Sequence, residues 1–113
     1  MTFVRALSEM RTSPTACLFE GRDGAGVEVS VFVTDTPPGL GPSLHVHPYP
    51  EVFVVQEGEA TFSVGEEELR VPGGHVVVVP PDTPHGFKNL AEGTLHVVSI
   101  HPSGKVEQTW LET

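Results

Sequence analysis

The chain has 113 residues, of which 38% are hydrophobic, and 15 acidic against 6 basic side chains give it a formal net charge of −9 at pH 7. A chain of this length has room for one hydrophobic core, so we expect a single domain over residues 1–113. The acidic balance disfavours nucleic acids and anionic membrane surfaces, which carry the same sign of charge. We therefore expect a small molecule, and neither a nucleic acid nor a membrane, as the partner.

The chain offers no sign of a membrane or an oxidising compartment. No apolar run is long enough to cross a bilayer, and the N-terminal residues lack the apolar core of a secretory signal. Cys17 is the single cysteine, so an intramolecular disulfide is excluded. These features together predict a cytoplasmic protein.

The first residues differ from the rest of the chain. Phe3, Leu7 and Met10 recur at helical spacing, which favours either a short helix or an arm that pairs with a partner subunit. From residue 16 onwards, short runs rich in Val, Phe and Thr alternate with Gly and Pro turn signals, which is typical of strands. The predicted strands are Ala16–Glu20, Val27–Thr34, Ser43–His47, Glu51–Glu57, Ala60–Val64, Glu68–Val71, His75–Val79, His85–Asn89 and Thr94–Ile100.

Many short strands at close spacing, without helices between them, predict an all-β sandwich or closed barrel. We expect an N-terminal arm over residues 1–15, the barrel over residues 16–102 and a C-terminal tail over residues 103–113. The tail is polar except for three residues, and we expect its tryptophan to cover the barrel wall. The three exceptions are Val106, Trp110 and Leu111.

Four side chains have the spacing of a metal site. His45 and His47 lie two apart in a predicted strand, so both imidazoles point to the same face. Glu51 follows a turn with two prolines and opens the next strand, which returns its carboxylate to the two imidazoles. His85 opens a later strand after a second proline-rich turn. Three imidazoles and one carboxylate suit Fe, Mn, Ni, Cu or Zn better than Ca or Mg.

Two segments resemble the two sequence motifs of the cupin family. Gly39–Gly58 reads GLGPSLHVHPYPEVFVVQEG, and Gly74–Asn89 reads GHVVVVPPDTPHGFKN, with fifteen residues between them. Asp82 departs from the pattern, which has Gly there, but Asp tolerates left-handed turn geometry. The resemblance implies a double-stranded β-helix, a jelly-roll-like barrel. It also implies one divalent metal ion held by His45, His47, Glu51 and His85.

The alternation of side chains predicts what else lines the cavity. If Glu51 points inwards, so does Phe53, and if His85 points inwards, so do Phe87 and Asn89. Tyr49 lies in the turn between ligands and is placed at the mouth of the pocket. The predicted substrate-binding residues are therefore Tyr49, Phe53, Phe87 and Asn89, around a mainly apolar floor.

The last strand leaves two alternatives open. The residues facing the cavity are either His96, Val98 and Ile100, or Leu95, Val97 and Ser99. If it points inwards, His96 is a candidate general base, which makes Glu51 and His96 the candidate catalytic residues. We expect His75 and His101, at turns or strand edges, to be exposed.

The resemblance implies a metal-dependent enzyme, since cupins include flavonol-type dioxygenases, sugar and keto-acid isomerases and small polyketide cyclases. We predict an oxygenase or isomerase acting on a small, fairly apolar molecule. The alternative is a non-catalytic, sensor-like barrel that binds a metal and a ligand. A second titratable group beside the metal would favour the enzyme. We also predict a homodimer that forms through exposed edge strands and the N-terminal arm.

Overall fold

The computed structural model describes residues 2–111, which form two antiparallel sheets and one short 3-10 helix, Leu7–Met10. This content confirms the predicted all-β class. The strands are β1 (Arg11–Ser13), β2 (Ala16–Glu20), β3 (Ser30–Thr36), β4 (His45–Val46), β5 (Glu51–Glu57), β6 (Glu59–Val64), β7 (Glu67–Pro72), β8 (His75–Val79), β9 (His85–Lys88), β10 (Leu95–His101) and β11 (Thr109–Trp110).

The chain crosses repeatedly between the two sheets. The six-stranded sheet has the order β1-β2-β3-β10-β5-β8, and the five-stranded sheet has the order β11-β4-β9-β6-β7. Only some sequence neighbours pair, as β5 lies between β10 and β8, and β9 between β4 and β6. Two antiparallel sheets linked in this way form the double-stranded β-helix that the sequence predicted.

The core lies between the sheets, where alternating residues of each strand point inwards. β5 buries Phe53 and Val55, and β6 buries Ala60, Phe62 and Val64. The rings of Phe53 and Phe62 meet edge to face, with centroids 5.0 Å apart. This packed apolar end leaves the opposite end of the barrel for polar side chains.

The burial pattern of β10 decides the alternative that the sequence left open. Leu95 and Val97 are almost fully buried, so they, Ser99 and His101 face inwards. The prediction that His101 is exposed is therefore wrong, because its side chain shares the inward phase of these residues and is only 1% exposed. His75 is exposed, as predicted.

The N-terminal and C-terminal segments each add one strand to a sheet. At the N-terminal side, β1 pairs with β2. At the C-terminal side, β11 pairs with β4, opposite Val46 and His45. Within residues 2–111, no helix has the length and apolar character needed to span a bilayer.

Most strand boundaries fall within one or two residues of the prediction, and the start of β3 is the main exception. Val27 bonds back to Gly21 in a loop, so β3 begins only at Ser30. The turn residues behave as their chemistry suggests: Gly39 has φ +85° and Asp82 has φ +58°. Asp82 therefore adopts the left-handed conformation anticipated for a residue standing where the motif has Gly.

Candidate metal centre

The structure brings the four predicted ligands together at the open end of the barrel. His45 lies in β4, His47 follows it, and Glu51 and His85 begin β5 and β9. The pairing of His45 with His85 across β4 and β9 aligns two of the imidazoles. One donor atom from each residue lies within 4.8 Å of the others, and all four side chains are buried. These residues are able to hold one metal ion.

Backbone carbonyls orient the three imidazoles. Each Nδ1 lies 2.7–2.8 Å from a carbonyl oxygen, which can only accept, so each Nδ1 carries the proton. The Nε2 lone pairs are therefore free to coordinate a metal, and the hydrogen bonds hold the rings in place. The pairs are His45 with Ser43, His47 with Glu107, and His85 with Thr83.

Glu51 lies at the centre of the histidines. Its Oε1 is 2.9 Å from Nε2 of both His47 and His85, and its Oε2 is 3.1 Å from Nε2 of His101. Burial alone raises the pKa of this carboxyl, but the contacts with the three imidazoles outweigh burial and hold the pKa well below its ordinary value. Glu51 is therefore a carboxylate at neutral pH.

These contacts show that a divalent metal fits the residues present. The Nε2 atoms of His47 and His85 direct lone pairs at a carboxylate, which is repulsive unless a proton or a cation lies between them. In addition, Nε2 of His47 is buried and has no hydrogen-bond partner among the described residues. A metal cation would satisfy all three groups at once, and the N3O donor set suits a first-row transition metal.

The environment of His45 also favours metal binding. Burial lowers the pKa of its imidazole to about 4, and the neighbouring imidazoles of His85 and His47 lower it further. The ring is therefore neutral at physiological pH, and neutral imidazole is the form that coordinates metals.

His101 belongs to the site, although sequence reasoning did not select it. Its Nδ1 lies 2.7 Å from the Tyr49 hydroxyl, which also accepts a hydrogen bond from the Glu107 amide at 3.2 Å. Burial raises the pKa of Tyr49, so the phenol stays protonated, and its hydroxyl donates a hydrogen bond to Nδ1 of His101. That leaves a proton on Nε2 of His101, which lies 3.1 Å from Oε2 of Glu51. In the sequence, the position of His101 two residues after Ser99 was the signal that both side chains face the same side of the strand.

Two predicted substrate-binding residues lie elsewhere. Tyr49 stacks on His47 with ring centroids 5.0 Å apart, behind the ligands instead of at the cavity mouth. Asn89 is buried, but its amide donates to the carbonyls of Thr36 and Gly93, so it connects two loops and does not line the cavity. Neither residue therefore lines the cavity as predicted, because the Tyr49 hydroxyl and the Asn89 amide form hydrogen bonds to other parts of the protein.

His96 is not a catalytic candidate, because it faces away from the cavity. Its side chain is 38% exposed on the outer surface, with Nδ1 2.5 Å from Oδ1 of Asp35 and Nε2 3.7 Å from Glu57. These two residues are its cross-strand neighbours on β3 and β5. Leu95 points inwards, and because side chains alternate along a strand, His96 points outwards.

A cavity of about 610 Å³ opens beside the proposed metal ligands. Phe53 and Phe87 line it, as predicted, and His45, Glu51 and His101 form its polar edge. The remaining lining residues that the structure describes include no Lys or Arg. They are Ser13, Thr15, Ala16, Phe32, Thr34, Thr36, Leu40, Gly41, Pro42, Val97, Ser99, Gln108 and Trp110.

Comparison with known families agrees with this fold and site. The cupin domain family matches residues 32–101, which is more than half of the chain and includes all four proposed ligands. This chain belongs to the cupin family. It is 32% identical to the uncharacterized protein SCO3923 of Streptomyces coelicolor, over 67% of this chain and 70% of that protein. It is 28% identical to the uncharacterized protein MJ1618 of Methanocaldococcus jannaschii, over 65% of this cupin and 59% of that protein.

Solved structures share the fold at low sequence identity. An oxalate oxidase superimposes with a TM-score of 0.79 at 19% identity, over 96% of this cupin and 63% of that chain. Bacillus subtilis oxalate decarboxylase, studied for its Mn(II) centres, superimposes with a TM-score of 0.83 at 19% identity, over 93% of this cupin and 31% of that chain. This cupin thus spans less than two thirds of the first curated relative and of both enzymes. At this identity, the likeness to the enzymes establishes the barrel alone.

Proposed function

We propose that this cupin is a divalent-metal-dependent enzyme, of the oxygenase or isomerase type, that acts on a small and fairly apolar molecule. One observation carries the proposal: a fourth imidazole, that of His101, contacts Oε2 of Glu51 inside the cavity. A site that only stored a metal would not need a further proton-holding group beside its ligands, whereas proton transfer during a reaction does.

The metal ligands and His101 have different roles in this proposal. His45, His47, Glu51 and His85 would hold the metal, which when bound supplies Lewis-acid or redox chemistry. His101 holds a proton at Nε2 against Oε2 of Glu51, and its hydrogen bond to the Tyr49 hydroxyl keeps the ring in that orientation.

The cavity supports an apolar substrate. Phe32, Phe53, Phe87 and Val97 contribute side chains that exclude water, and the few hydroxyls of the lining provide hydrogen bonds. A dicarboxylate such as oxalate is disfavoured, since the described lining offers no Lys or Arg to neutralise it and contains the carboxylate of Glu51. The fold neighbours that act on oxalate are therefore a poor guide to this substrate.

The first test measures metal content and turnover together. Mass spectrometry of the purified protein, before and after reconstitution with Fe, Mn, Ni, Cu and Zn, is expected to give about one ion per chain. His47→Ala is expected to lose it. His96→Ala is the matched control and is expected to retain it, because His96 lies outside the cavity. The loaded protein is then screened with apolar enols, diols and hydroxyketones for oxygen uptake and for isomerised products.

His101→Phe separates the enzyme from the sensor-like barrel. It is expected to retain the metal and to lower turnover by about 100-fold or more, which is the usual range for a lost proton-transfer group. Metal and ligand binding without turnover, followed by the fluorescence of Trp110, would favour the non-catalytic alternative. No metal after reconstitution with any ion would contradict the proposal.

A further inference from the structure

The described C-terminal residues, 103–111, lie across the open end of the barrel, and we call them the strap. Long-range hydrogen bonds hold its first part. The Ser30 hydroxyl donates to the Ser103 carbonyl at 2.7 Å, and the Val106 amide donates to the Glu20 carboxylate at 2.9 Å. Because these partners lie in β2 and β3, the strap has a fixed position relative to the six-stranded sheet.

The second part of the strap is bound to the metal-binding end of the barrel. The Glu107 carbonyl accepts a hydrogen bond from Nδ1 of His47 at 2.7 Å, and the Glu107 amide donates to the Tyr49 hydroxyl at 3.2 Å. Shortly beyond, β11 pairs with β4 and places Trp110 opposite His45. The strap therefore orients one proposed ligand and sets a tryptophan beside another.

Trp110 combines a contact with the site and a large free surface. Its indole ring lies 5.0 Å from the His45 imidazole, centroid to centroid, and it lines the cavity. The residue is nevertheless 53% exposed, whereas tryptophan is highly buried on average in folded proteins. Part of the free surface borders the cavity, so a molecule bound beside the proposed metal would cover it.

Aromatic rings line the cavity from both sheets. Phe32 and Phe53 belong to the six-stranded sheet, and Phe87 and Trp110 belong to the five-stranded sheet. Phe32 lies beside His101, with ring centroids 5.5 Å apart, so Phe32 and Trp110 approach the polar edge of the cavity from opposite sheets. A molecule bound between them meets an aromatic wall on each side.

A cavity with this lining favours flat, conjugated molecules. Aromatic rings attract one another in stacked and edge-to-face arrangements, beyond the effect of the area that they bury. A saturated ring carries hydrogen atoms on both faces, so it is thicker and lacks this attraction. The cavity volume of about 610 Å³ lies in the range of clefts that hold drug-sized ligands, so more than one ring fits.

We propose that Trp110 is the residue that selects the substrate of this cupin, and that the substrate contains a flat, conjugated system of two or more rings. The indole forms the wall on which these rings pack, next to His45. The molecule is uncharged, because the described lining offers no Lys or Arg to an anion. The inference rests on the proposed function, since it names the substrate class of the same cavity.

The test is the calorimetric binding of two probes that differ in saturation alone, 2-naphthol and decahydro-2-naphthol. Both are titrated into the full chain, as purified and after removal of metal by a chelator. The wild type is expected to bind 2-naphthol more tightly, by about 5-fold or more. The hydrophobic effect by itself favours the saturated probe, which has the larger apolar surface, so the expected order requires the aromatic contact.

Variants of the strap assign the preference to Trp110. Trp110→Leu keeps an apolar side chain but removes the aromatic surface, and it is expected to weaken the binding of 2-naphthol by about 10-fold and to abolish the preference. Trp110→Phe is expected to retain most of the preference. Leu111→Ala is the matched control and is expected to leave both affinities unchanged, since Leu111 is exposed and lies outside the cavity lining. Circular dichroism checks that each variant is folded.

The proposal is overturned if the wild type binds the two probes equally, if it binds neither, or if Trp110→Leu retains the preference. The binding measurement needs neither metal nor turnover, so it separates this proposal from the proposed enzyme. A preference for 2-naphthol without turnover of any substrate would support the role of Trp110 and contradict the enzyme, and turnover without the preference would do the reverse. For a substrate that is turned over, Trp110→Leu is expected to raise KM and to leave kcat nearly unchanged.

Discussion

At the scale of single residues, the site depends on which ring nitrogen carries the proton. Backbone carbonyls accept hydrogen bonds from Nδ1 of His45, His47 and His85, so their Nε2 lone pairs are free, and those of His47 and His85 point at Glu51. His101 differs, because a hydroxyl occupies its Nδ1 and its proton lies at Nε2. Histidine therefore has two roles in this site: three rings offer a lone pair at Nε2, and the ring of His101 holds a proton there. The hydrogen-bond partner at Nδ1 of each ring decides which role it has.

The pH dependence of stability follows from His45. Its pKa is about 4 in the folded state and 6.5 ordinarily, so between these values the unfolded chain binds a proton that the folded chain does not. The free energy of unfolding of the metal-free protein is therefore expected to fall as the pH drops from 6.5 to 4, by on the order of 3 kcal/mol. Below about 4.5, protonation of Glu51, whose pKa is lowered by folding, removes further stability.

Urea unfolding at a series of pH values measures this loss. The variant His45→Asn lacks the titrating ring, and its unfolding free energy is expected to change less over the same interval. An equal slope in the wild type and in the variant would show that His45 is not the source.

At the scale of elements, the loop before β4 fixes where β9 lies. Gly41 has φ +151°, and a Cβ on it would stand 2.0 Å from the carbonyl oxygen of Phe87. The Lys88 ammonium also bonds to the Gly41 carbonyl at 3.0 Å. Since β9 carries His85 and Phe87, this backbone contact positions one ligand and part of the cavity wall.

A matched pair of glycine substitutions tests that contact. Gly39→Ala is expected to cost about 1 kcal/mol of unfolding free energy, because Gly39 has φ +85° but open space around its Cβ position. Gly41→Ala is expected to cost about 3 kcal/mol or more, because backbone must move. It is also expected to weaken metal binding. Equal losses, measured by chemical unfolding, would mean that only backbone conformation matters at both positions.

At the scale of the whole molecule, the barrel has an apolar end and a metal-binding end. A ligand that binds only the folded state stabilises it, by about 4 kcal/mol at a thousandfold excess over Kd. For a chain of this size, that raises the Tm by roughly 15 °C. We expect such a rise on addition of the preferred metal, measured by calorimetry.

Two histidines that begin strands consecutive in the chain provide a matched pair of variants for this effect. His85→Ala removes a buried ligand and is expected to abolish the rise. His75→Ala changes an exposed side chain that hydrogen-bonds to the Pro72 carbonyl, and it is expected to leave the rise intact. A similar rise in both variants would place the metal elsewhere.

The sequence by itself determined the class of fold and the proposed ligands. Strand periodicity, turn residues and the spacing from His45 to Glu51 are local signals, and the motif around His85 supplied the fourth ligand. They depend on a few neighbouring residues, so they are readable without the fold. The same holds for Phe53 and Phe87, whose inward direction follows from a ligand two residues away.

Only the tertiary structure decided the roles of His96, His101 and Trp110. In β10, both sets of alternating residues are largely apolar, because one face packs in the core and the outward Val98 and Ile100 lie beside aliphatic residues of β3 and β5. Local sequence could not choose between them, and the register with β3 and β5, with an irregularity at His96 and Val97, made the choice. Trp110 lies in the cavity wall, with its ring 5.0 Å from His45, because β11 pairs with a strand more than sixty residues earlier. Such long-range pairing is a property of the folded chain that no short segment encodes.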